Sequence, residues 1–390
     1  MINISNNSNI SYKRSDQTAK PKLCYIFPEY NEKTADHFYH HYEFLDKLSK
    51  NLDIFLIVEK GIGEINFGNF KKIYIQKYKF LPLRFLESFL IILRARFLGY
   101  KNFYTHYCYI GGINAAIISR LFGGKSYYWH CEMIWEFKQS LLSKLGLNLS
   151  LKLSKFLVTG SESLKNGYVK HFNLNPDRIK VMPNWINLNR FHPNISSTKH
   201  QASSKILLFV HWLAERKGAH LLIPIVKALH FNQAKRSIKR SDQTSEAINL
   251  LIIGDGPLKE KLAKEIKENK LEDYIQVLGK IPNKELMKYY ETADIFILPS
   301  FQEGFPRVLL EAMASGIPYV ASDVGAVREI SPKIAQDFIV TRENIEEFAD
   351  KIAILLSDEE AYNRFRIEEL EKVKEYSLEK VVDKFIDLMK

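Results

Sequence analysis

The 390-residue sequence contains only three cysteines, Cys24, Cys108 and Cys131. They are odd in number and widely spaced, and they lack a CxxC or Cys/His ligand pattern. This spacing argues against both a disulfide framework and a structural zinc site. We therefore expect three buried thiols in a protein of a reducing compartment.

The sequence also lacks a long apolar run. The nearest candidate, residues 80–100, is interrupted by Arg84, Glu87, Arg94 and Arg96, so it cannot span a bilayer as a conventional helix. Residues 1–21 are rich in Asn and Ser and contain no apolar core segment, which predicts a disordered tail and not a signal peptide. We expect a cytoplasmic protein.

Composition and length indicate a globular protein with two domains. The hydrophobic fraction of 46% and the charged fraction of 26% are those of folded proteins, and the chain is too long for one ordinary core. The net charge of +11 favours an anionic partner, which could be nucleic acid, an acidic membrane surface or a phosphorylated substrate.

Short apolar runs alternate with amphipathic stretches along the whole chain, which is typical of βα units and of parallel, doubly wound sheets. In the first half we predict strands at residues 23–27, 54–58, 72–75, 103–106, 126–129 and 156–159, with helices that include 34–48 and 140–153. In the second half we predict strands at residues 206–210, 250–253, 275–278, 295–298 and 319–321.

The predicted boundaries follow from these patterns. They give a tail at 1–21, a first domain at 22–184, a linker at 185–204, a second domain at 205–365, and a helical segment at 366–390 that could pack on either lobe. The hexapeptide KRSDQT occurs at 13–18 and again at 239–244. The second copy suggests an inserted surface loop from about 232 to 247.

The most informative stretch is LPSFQEGFPRVLLE, residues 298–311, where a strand runs into a turn and then a helix. Pro306 suits a helix start, and Gly304 permits close approach of a ligand to the backbone. The free N–H groups of the first helical turn then form an anion site suited to a phosphate. Glu303 and Glu311 flank this site and could accept hydrogen bonds from sugar hydroxyls. The alternative is an ordinary turn with two solvated glutamates.

The longer segment EGFPRVLLEAMASGIPYVASDVGAVREI resembles the Glu-x7-Glu signature of the retaining family 4 glycosyltransferases of the GT-B fold. Four other segments agree with this family in order: VMPNWINLNRFHP with the linker, VHWLAERKGAHLL with the first strand and loop of the donor domain, LLIIGDGPLKEKL with the next turn, and VLGKIPNKELMKYYETADIFILPS with the approach to the carboxylates. The resemblance covers residues 179 to about 330, and the first lobe more loosely.

The resemblance implies two Rossmann-like lobes that face each other across a cleft, with the donor on the second lobe and the acceptor on the first. It implies retaining, metal-independent transfer of a hexose-type sugar from a nucleotide-diphosphate sugar, without a cofactor, to a glycan or lipid-linked acceptor. Cell-surface polysaccharide or glycolipid synthesis is the expected setting.

The resemblance also assigns roles to residues. Lys217 would bind the donor diphosphate, Glu303 the transferred sugar and Glu311 the ribose, while His130 would lie in the cleft near the reacting sugar. The remaining donor-binding residues would be Gly304, Phe305, Pro306, Arg307, Val308, Leu309, Arg216, Gly254, Gly256 and Lys280. The alternatives are a solvated loop lysine at Lys217 and a satisfied core histidine at His130.

Two departures from the family pattern stand out. The family usually has Gly-Arg-Leu where this chain has His211, Trp212 and Leu213, so a second cationic partner of the diphosphate is missing unless Arg216 replaces it. The first lobe lacks a Gly-Gly turn after its first strand and has PEYNEKTADHFYHH instead. There His37, His40 and His41 have helical spacing. A metal site is one interpretation, but the lack of a further clustered ligand favours a polar helix face lining the cleft.

Residues 71–101 combine eight basic side chains with an apolar stripe of Phe and Leu. This stretch could contact an anionic membrane surface at the inner face of the membrane, or the stripe could simply pack on the sheet. Nucleic acid is disfavoured because no nucleic-acid-binding module is present. Two alternatives to a transferase remain. One is a nucleotide-sugar epimerase of the same fold. The other is a non-catalytic scaffold, which Trp212 in place of the usual arginine suggests.

Overall fold

The computed structural model describes residues 20–31, 39–136, 140–193, 204–239 and 247–390. Two parallel β-sheets, each covered by helices, form two Rossmann-like lobes. The predicted architecture of two doubly wound lobes is therefore confirmed.

The central strands of the first lobe are apolar and buried over most of their length, as parallel strands covered by helices must be, whereas the edge strand β3 is partly exposed. They are β1 (Lys22–Asn31), β2 (Asp53–Ile62), β3 (Lys72–Ile75), β4 (Asn102–His106), β5 (Lys125–Trp129), β6 (Phe156–Thr159) and β7 (Ile179–Val181). Their order in the sheet is β3-β2-β1-β4-β5-β6-β7. The six predicted strands are confirmed, and the seventh was missed because it has only three residues.

The second sheet has the same character. Its strands are β8 (Ser204–Val210), β9 (Ala247–Ile253), β10 (Ile275–Gly279), β11 (Ile295–Leu298), β12 (Tyr319–Ser322) and β13 (Ile339–Val340). Their order is β10-β9-β8-β11-β12-β13. All five predicted strands are present, and the two-residue β13 was too short to be identified from its sequence.

Helices connect consecutive strands in both lobes. They are α1 (Tyr39–Asn51), α2 (Leu81–Phe97), α3 (Tyr109–Phe122), α4 (Leu141–Leu153), α5 (Glu162–Phe172), α6 (Leu222–Lys239), α7 (Lys259–Glu268), α8 (Met287–Thr292), α9 (Arg307–Ala314), α10 (Val327–Ile330), α11 (Ile345–Ser357), α12 (Glu359–Val373) and α13 (Leu378–Met389). Within the described ranges, no helix is long and apolar enough to cross a membrane.

Two predicted boundaries are wrong. The expected surface loop at 232–247 begins inside α6, which continues to Lys239, because most residues after Phe231, such as Gln233, Lys235 and Arg236, are good helix formers. The expected break at residue 366 falls within α12, and the real break is the turn between Val373 and Leu378. Residues 1–19, the first KRSDQT copy and His37 lie outside the described residues.

The final helix α13 returns to the first lobe. Asn102 donates to the Met389 carbonyl at 2.7 Å, and the Tyr127 hydroxyl donates to the Leu388 carbonyl at 3.2 Å. The Phe385 ring packs on Tyr104 with its centroid 4.8 Å away. The C-terminal segment, which could have packed on either lobe, therefore covers the first one.

The lobes also meet directly through polar contacts. Glu329 of α10 accepts hydrogen bonds from the backbone N–H groups of Glu162 at 3.0 Å and Ser163 at 3.1 Å, at the start of α5. An acidic side chain near a helix N-terminus satisfies free N–H groups and complements the helix dipole. A carboxylate of the second lobe thus caps a helix of the first.

Candidate functional site in the cleft between the lobes

A cavity of about 400 Å³ opens between the two lobes. In both sheets the carboxyl ends of the strands face it, which is where doubly wound folds bind ligands. The first lobe contributes Pro28, His40, His41, His106, Tyr107, Trp129, Cys131 and Glu132, Asn184 follows β7, and the second lobe contributes His211, Glu303, Phe305, Pro306, Arg307 and Val308.

Glu303 is the centre of a polar cluster at the edge of this cavity. Its Oε1 atom lies 2.8 Å from Lys217 Nζ, 2.9 Å from His211 Nε2 and 2.9 Å from the Ser300 hydroxyl. Three adjacent segments supply these groups: His211 ends β8, Lys217 follows in the next turn, and Ser300 and Glu303 follow β11. The parallel topology therefore brings together residues more than 80 positions apart.

Lys217 is buried, with 6% of its surface exposed. Its ammonium also donates to the Gln302 carbonyl at 3.0 Å. The interpretation as a solvated loop lysine is therefore wrong. Lys217 and His211 lower the pKa of the Glu303 carboxyl far below its usual range, against the opposing effect of burial. Glu303 is ionised at neutral pH.

His211 has a defined tautomer. Its Nδ1 atom accepts from the Trp212 backbone N–H at 2.8 Å, so the ring proton lies on Nε2 and is donated to Glu303. Burial lowers the pKa of the His211 imidazole below its usual value, which keeps the ring neutral at physiological pH. Trp212, which stands where the family pattern has an arginine, is half exposed beside this cluster.

Helix α9 begins at the cavity. Pro306 is the N-cap residue and not the first helical residue, so α9 starts at Arg307. No side chain caps the helix start. The first N–H groups of a helix have no acceptor within the helix, and they lie at its positive end. Arg307 and Val308 line the cavity, whereas the Leu309 side chain points into the core. These features form a potential anion site.

Gly304 does not meet the expectation of an open approach to a ligand. A Cβ atom added there would lie 2.0 Å from the Cys131 carbonyl oxygen of the first lobe. The next residue makes a related contact, because the Phe305 carbonyl accepts from Asn184 Nδ2 at 3.0 Å. The glycine therefore allows the two lobes to touch at this turn.

Glu311 lies on α9, about one helical turn after the first helical residue, Arg307. Its carboxylate accepts from the Tyr290 hydroxyl at 3.0 Å and lies 3.6 Å from Arg307 Nη2. Only 3% of Glu311 is exposed, and burial raises the pKa of its carboxyl. The same burial lowers the pKa of Arg307 to about 10. A role for Glu311 with a ribose stays a prediction.

The remaining predicted donor residues lie around this site. Gly254 and Gly256 both have positive φ angles and pack against the backbone of residues 211–213, which leaves no room for a side chain. Arg216 is exposed on the loop beside Lys217, and Lys280 is exposed after β10. Both cations are at the carboxyl edge of the second sheet, where an anionic donor would bind.

His130 is placed differently from the expectation. Its ring is buried beneath the cavity wall, and its Nδ1 atom forms a hydrogen bond of 2.7 Å with the Tyr168 hydroxyl. Tyr107 and Cys131, but not His130, line the cavity. Burial lowers the pKa of His130 to about 3. This geometry is that of a packed core histidine.

The histidines of α1 also form part of the wall. The His41 ring lies 4.0 Å from that of His106 and 5.1 Å from that of Trp185, measured between centroids. His40 lines the cavity next to them. The predicted polar helix face is therefore an aromatic surface in the first-lobe half of the cleft. Among the described residues, no group of three or more His, Cys, Asp or Glu could hold a metal ion.

Sequence reasoning missed three residues of the site. His211 was noted only as a departure from the family pattern, although its position at the end of a strand could have identified it. Glu132 follows β5 and projects into the cleft from the first lobe. Ser300 carried no recognisable signal, because its contact with Glu303 depends on the shape of the turn.

Two Rossmann-like lobes that face each other across a cleft define the GT-B fold. The chain superimposes on a glycosyltransferase of Rickettsia africae with a TM-score of 0.72, at 17% identity and over 95% of this chain and 98% of that one. It superimposes on Anabaena HepE in complex with UDP with a TM-score of 0.71, at 16% identity and over 94% and 99% of the two chains. At these identities the likeness establishes the fold.

Residues 192–371 match the family described as Glycosyl transferases group 1. The chain is 32% identical to an uncharacterized glycosyltransferase of Methanocaldococcus jannaschii, over 52% of this chain and 51% of that protein. It is 28% identical to the putative colanic acid biosynthesis glycosyltransferase WcaL of Escherichia coli, over 54% and 48%. The chain spans about half the length of the curated relatives it matches.

Proposed function

We propose that this protein is a glycosyltransferase that moves a hexose-type sugar from a nucleotide-diphosphate sugar to a glycan or lipid-linked acceptor. The observation that carries the proposal is the cluster of Glu303, Lys217 and His211 beside the uncapped start of α9, at a cavity between the lobes. The match of residues 192–371 to a glycosyltransferase family supports it.

The donor would bind with its diphosphate at the start of α9. Lys217 and the free N–H groups of the helix would stabilise the charge that develops on the departing diphosphate, without a metal ion. Glu303 would accept hydrogen bonds from the sugar, and Glu311 from the ribose. That HepE was crystallised with UDP and with UDP-glucose supports a nucleotide-sugar donor for this chain.

Retention of configuration is part of the proposal because residues 303–330 resemble the retaining family 4 signature. The acceptor would enter from the first lobe, whose wall of His40, His41 and His106 faces the donor site. Synthesis of a surface polysaccharide or glycolipid is the proposed setting, with the enzyme in the cytoplasm at the inner face of the membrane.

A panel of nucleotide sugars tests the proposal by thermal unfolding. A ligand that binds only the folded state stabilises it by about 2.7 kcal/mol at a concentration 100 times its dissociation constant. We expect one sugar nucleotide to raise the melting temperature in the wild type and in Lys264→Met, an exposed control on α7. Glu311→Ala should abolish the response.

Turnover then separates the transferase from its rivals. Release of nucleotide with transfer of sugar supports the proposal, and NMR of the product gives the anomeric configuration. An epimerised donor or free nucleotide without transfer would replace the proposal with an epimerase. If no nucleotide sugar stabilises the protein, the site is not a donor site and a scaffold is favoured. Activity that disappears with EDTA and returns with a divalent cation would refute metal independence.

A further inference from the structure

The positive charge of this protein is concentrated in one stretch of the first lobe. Residues 65–161 contain 14 basic residues, Lys or Arg, but only three acidic residues, which are Glu87, Glu132 and Glu136. That stretch alone has a net charge of +11, and the rest of the chain has 42 residues of each sign. The whole excess therefore belongs to the strands and helices from β3 to β6.

The acidic residues of this stretch do not neutralise its outer surface. Glu132 and Glu136 follow β5 at the cleft. Glu87 is buried, and its carboxylate accepts from the Tyr74 hydroxyl at 2.8 Å and from the backbone N–H groups of Lys77 at 2.9 Å and Tyr78 at 3.2 Å. The exposed cations Lys77 and Lys79 precede α2, Arg94 lies on α2 and Lys144 on α4, and neither helix has an exposed carboxylate.

The same stretch exposes large apolar side chains in helical rows. On α2 they include Leu83, Leu86, Leu90 and Phe97, and on α4 they are Leu141, Leu142, Leu145 and Leu149. The exposed fraction is 69% at Leu142 and 53% at Leu86. Single exposed apolar residues are normal in soluble proteins, but a contiguous set marks an interaction site.

The two rows belong to one surface. Helix α3 contacts both α2 and α4: Asn114 of α3 donates to the Phe85 carbonyl at 3.0 Å, and Ser150 of α4 donates to the Tyr109 carbonyl at 2.9 Å. Gly112 of α3 allows this close packing, because an added Cβ would lie 3.2 Å from the Ser150 hydroxyl. Three neighbouring helices thus cover one side of the first sheet, and we refer to the outer side of α2 and α4 as the α2/α4 face.

One apolar end of this face lies on the cleft side of the first sheet. Helices that follow strands of a parallel sheet begin at its carboxyl edge, and that edge faces the cavity. Phe80 and Leu81 at the start of α2 are 67% and 46% exposed, and Leu141 at the start of α4 is 73% exposed. A partner that covers these helix starts would lie beside the entrance used by the acceptor.

We propose that the α2/α4 face docks the protein on an anionic lipid bilayer, with its leucines in the interfacial region and its lysines against acidic headgroups. The docking proposal rests on the proposed function in one respect: it takes the lipid surface to be the source of the acceptor. The combination of apolar side chains with a rim of lysine and arginine is that of interfacial helices, which bind by apolar burial together with attraction to anionic lipid.

Charge distinguishes a membrane from a second copy of the chain. In a symmetric dimer the same patch would face itself, so Lys79 and Lys144 would approach the equivalent cations of the other copy. Like charges across an interface are unfavourable, whereas an anionic leaflet attracts every one of them. The charge of the face therefore favours lipid over self-association.

Flotation with vesicles tests the proposal on the full chain. Wild-type protein should float with vesicles that contain phosphatidylglycerol at low salt, and much less with pure phosphatidylcholine or at high salt. Lys79→Glu with Lys144→Glu should lower the partition coefficient by at least about 25-fold, since each lost lysine alone is worth roughly fivefold. Leu86→Ser with Leu142→Ser should lower it by about tenfold or more.

Matched substitutions on the second lobe provide the controls. Ile367 is 70% exposed, so Ile367→Ser removes a comparable apolar surface from α12. Lys264→Glu with Lys284→Glu changes the net charge by the same amount as the lysine variant on the α2/α4 face. Ile367→Ser should bind vesicles within about twofold of the wild type, and Lys264→Glu with Lys284→Glu should lose far less binding than Lys79→Glu with Lys144→Glu.

The outcomes separate this inference from the proposed function. Absence of wild-type flotation at low salt, or equal loss in the control and face variants, overturns the docking face even if nucleotide sugars still stabilise the protein. A dimer in solution that Leu142→Ser dissociates, without vesicle binding, assigns the face to self-association instead. Vesicle binding without any response to nucleotide sugars upholds the docking face and refutes the donor site.

Discussion

Substitution of Lys217 by methionine tests the central contact of the site. Methionine keeps much of the length of the lysine side chain but removes the ammonium, which lies 2.8 Å from Glu303 in a place where the two side chains are 7% and 6% exposed. The loss of one partner of a buried ion pair leaves the other charge uncompensated and costs about 3–5 kcal/mol. His211 and Ser300 still donate to Glu303, so we expect the lower end of this range.

The expected measurements follow from this magnitude. Urea unfolding of Lys217→Met should give a free energy of unfolding about 3 kcal/mol below that of the wild type, and the melting temperature should fall by about 4 °C if both lobes unfold together. Lys217→Met combined with Glu303→Gln should recover part of the loss, because the second change removes the uncompensated charge. Transfer activity should fall by about 100-fold or more, as for removal of one donor to developing charge.

The pH dependence gives an independent check. The pKa of Glu303 is lower in the folded state than in the unfolded chain, so its ionisation stabilises the fold at pH values above the unfolded pKa of about 4.3. This stabilisation is lost as the pH falls towards the folded value. Glu303→Gln should therefore flatten the acid limb of the stability profile. If Lys217→Met leaves both the stability and its acid limb unchanged, the contact does not carry the energy assigned to it.

Three further substitutions test the surroundings of the site. Gly304→Ala should destabilise the protein by about 1–3 kcal/mol and increase the radius of gyration in X-ray scattering, because its Cβ would collide with the Cys131 carbonyl; an unchanged radius would refute this contact. Glu329→Ala should cost about 1 kcal/mol in urea unfolding through loss of the helix cap between the lobes; no loss would contradict the cap. Tyr290→Phe should cost about 1–3 kcal/mol in urea unfolding by removing a donor to buried Glu311; an unchanged free energy of unfolding would contradict this contact.

The pattern of apolar runs was sufficient to predict most of the fold. Strands such as Ile295–Leu298 are continuous apolar segments followed by turn residues, and this signal is local. Short elements such as Ile339–Val340 depend on pairing with a neighbouring strand and leave no periodic signal. Helix α6 passes the expected loop start because the polar residues after Phe231 still favour helix.

Prediction of the site from the sequence was less complete. Glu303 and Lys217 could be identified because the family resemblance extends over their segments. The roles of His211 and Ser300 depend on distances across neighbouring strands, which spacing along the chain does not encode. His130 illustrates the opposite case: its position at the end of a strand suggested the cleft, but its side chain points towards Tyr168 in the lobe interior. The end of a strand locates the backbone and not the direction of the side chain.

The contact between the lobes links the geometry of the donor site to that of the cleft. Gly304 touches the Cys131 carbonyl, and a Cβ at Gly160 of the first lobe would lie 2.5 Å from Cys131 Sγ and 3.1 Å from Phe305. Both sides of this contact thus lack side chains, and the turn that starts α9 rests directly on the first lobe. Glu303, Lys217, His211 and Ser300 all belong to the second lobe, so the polar cluster would move as one unit if the cleft opened, whereas the contact of Gly304 with the Cys131 carbonyl would be lost. This contact between the turn of α9 and the first lobe therefore fixes how closely the polar cluster faces the first-lobe wall of the cavity.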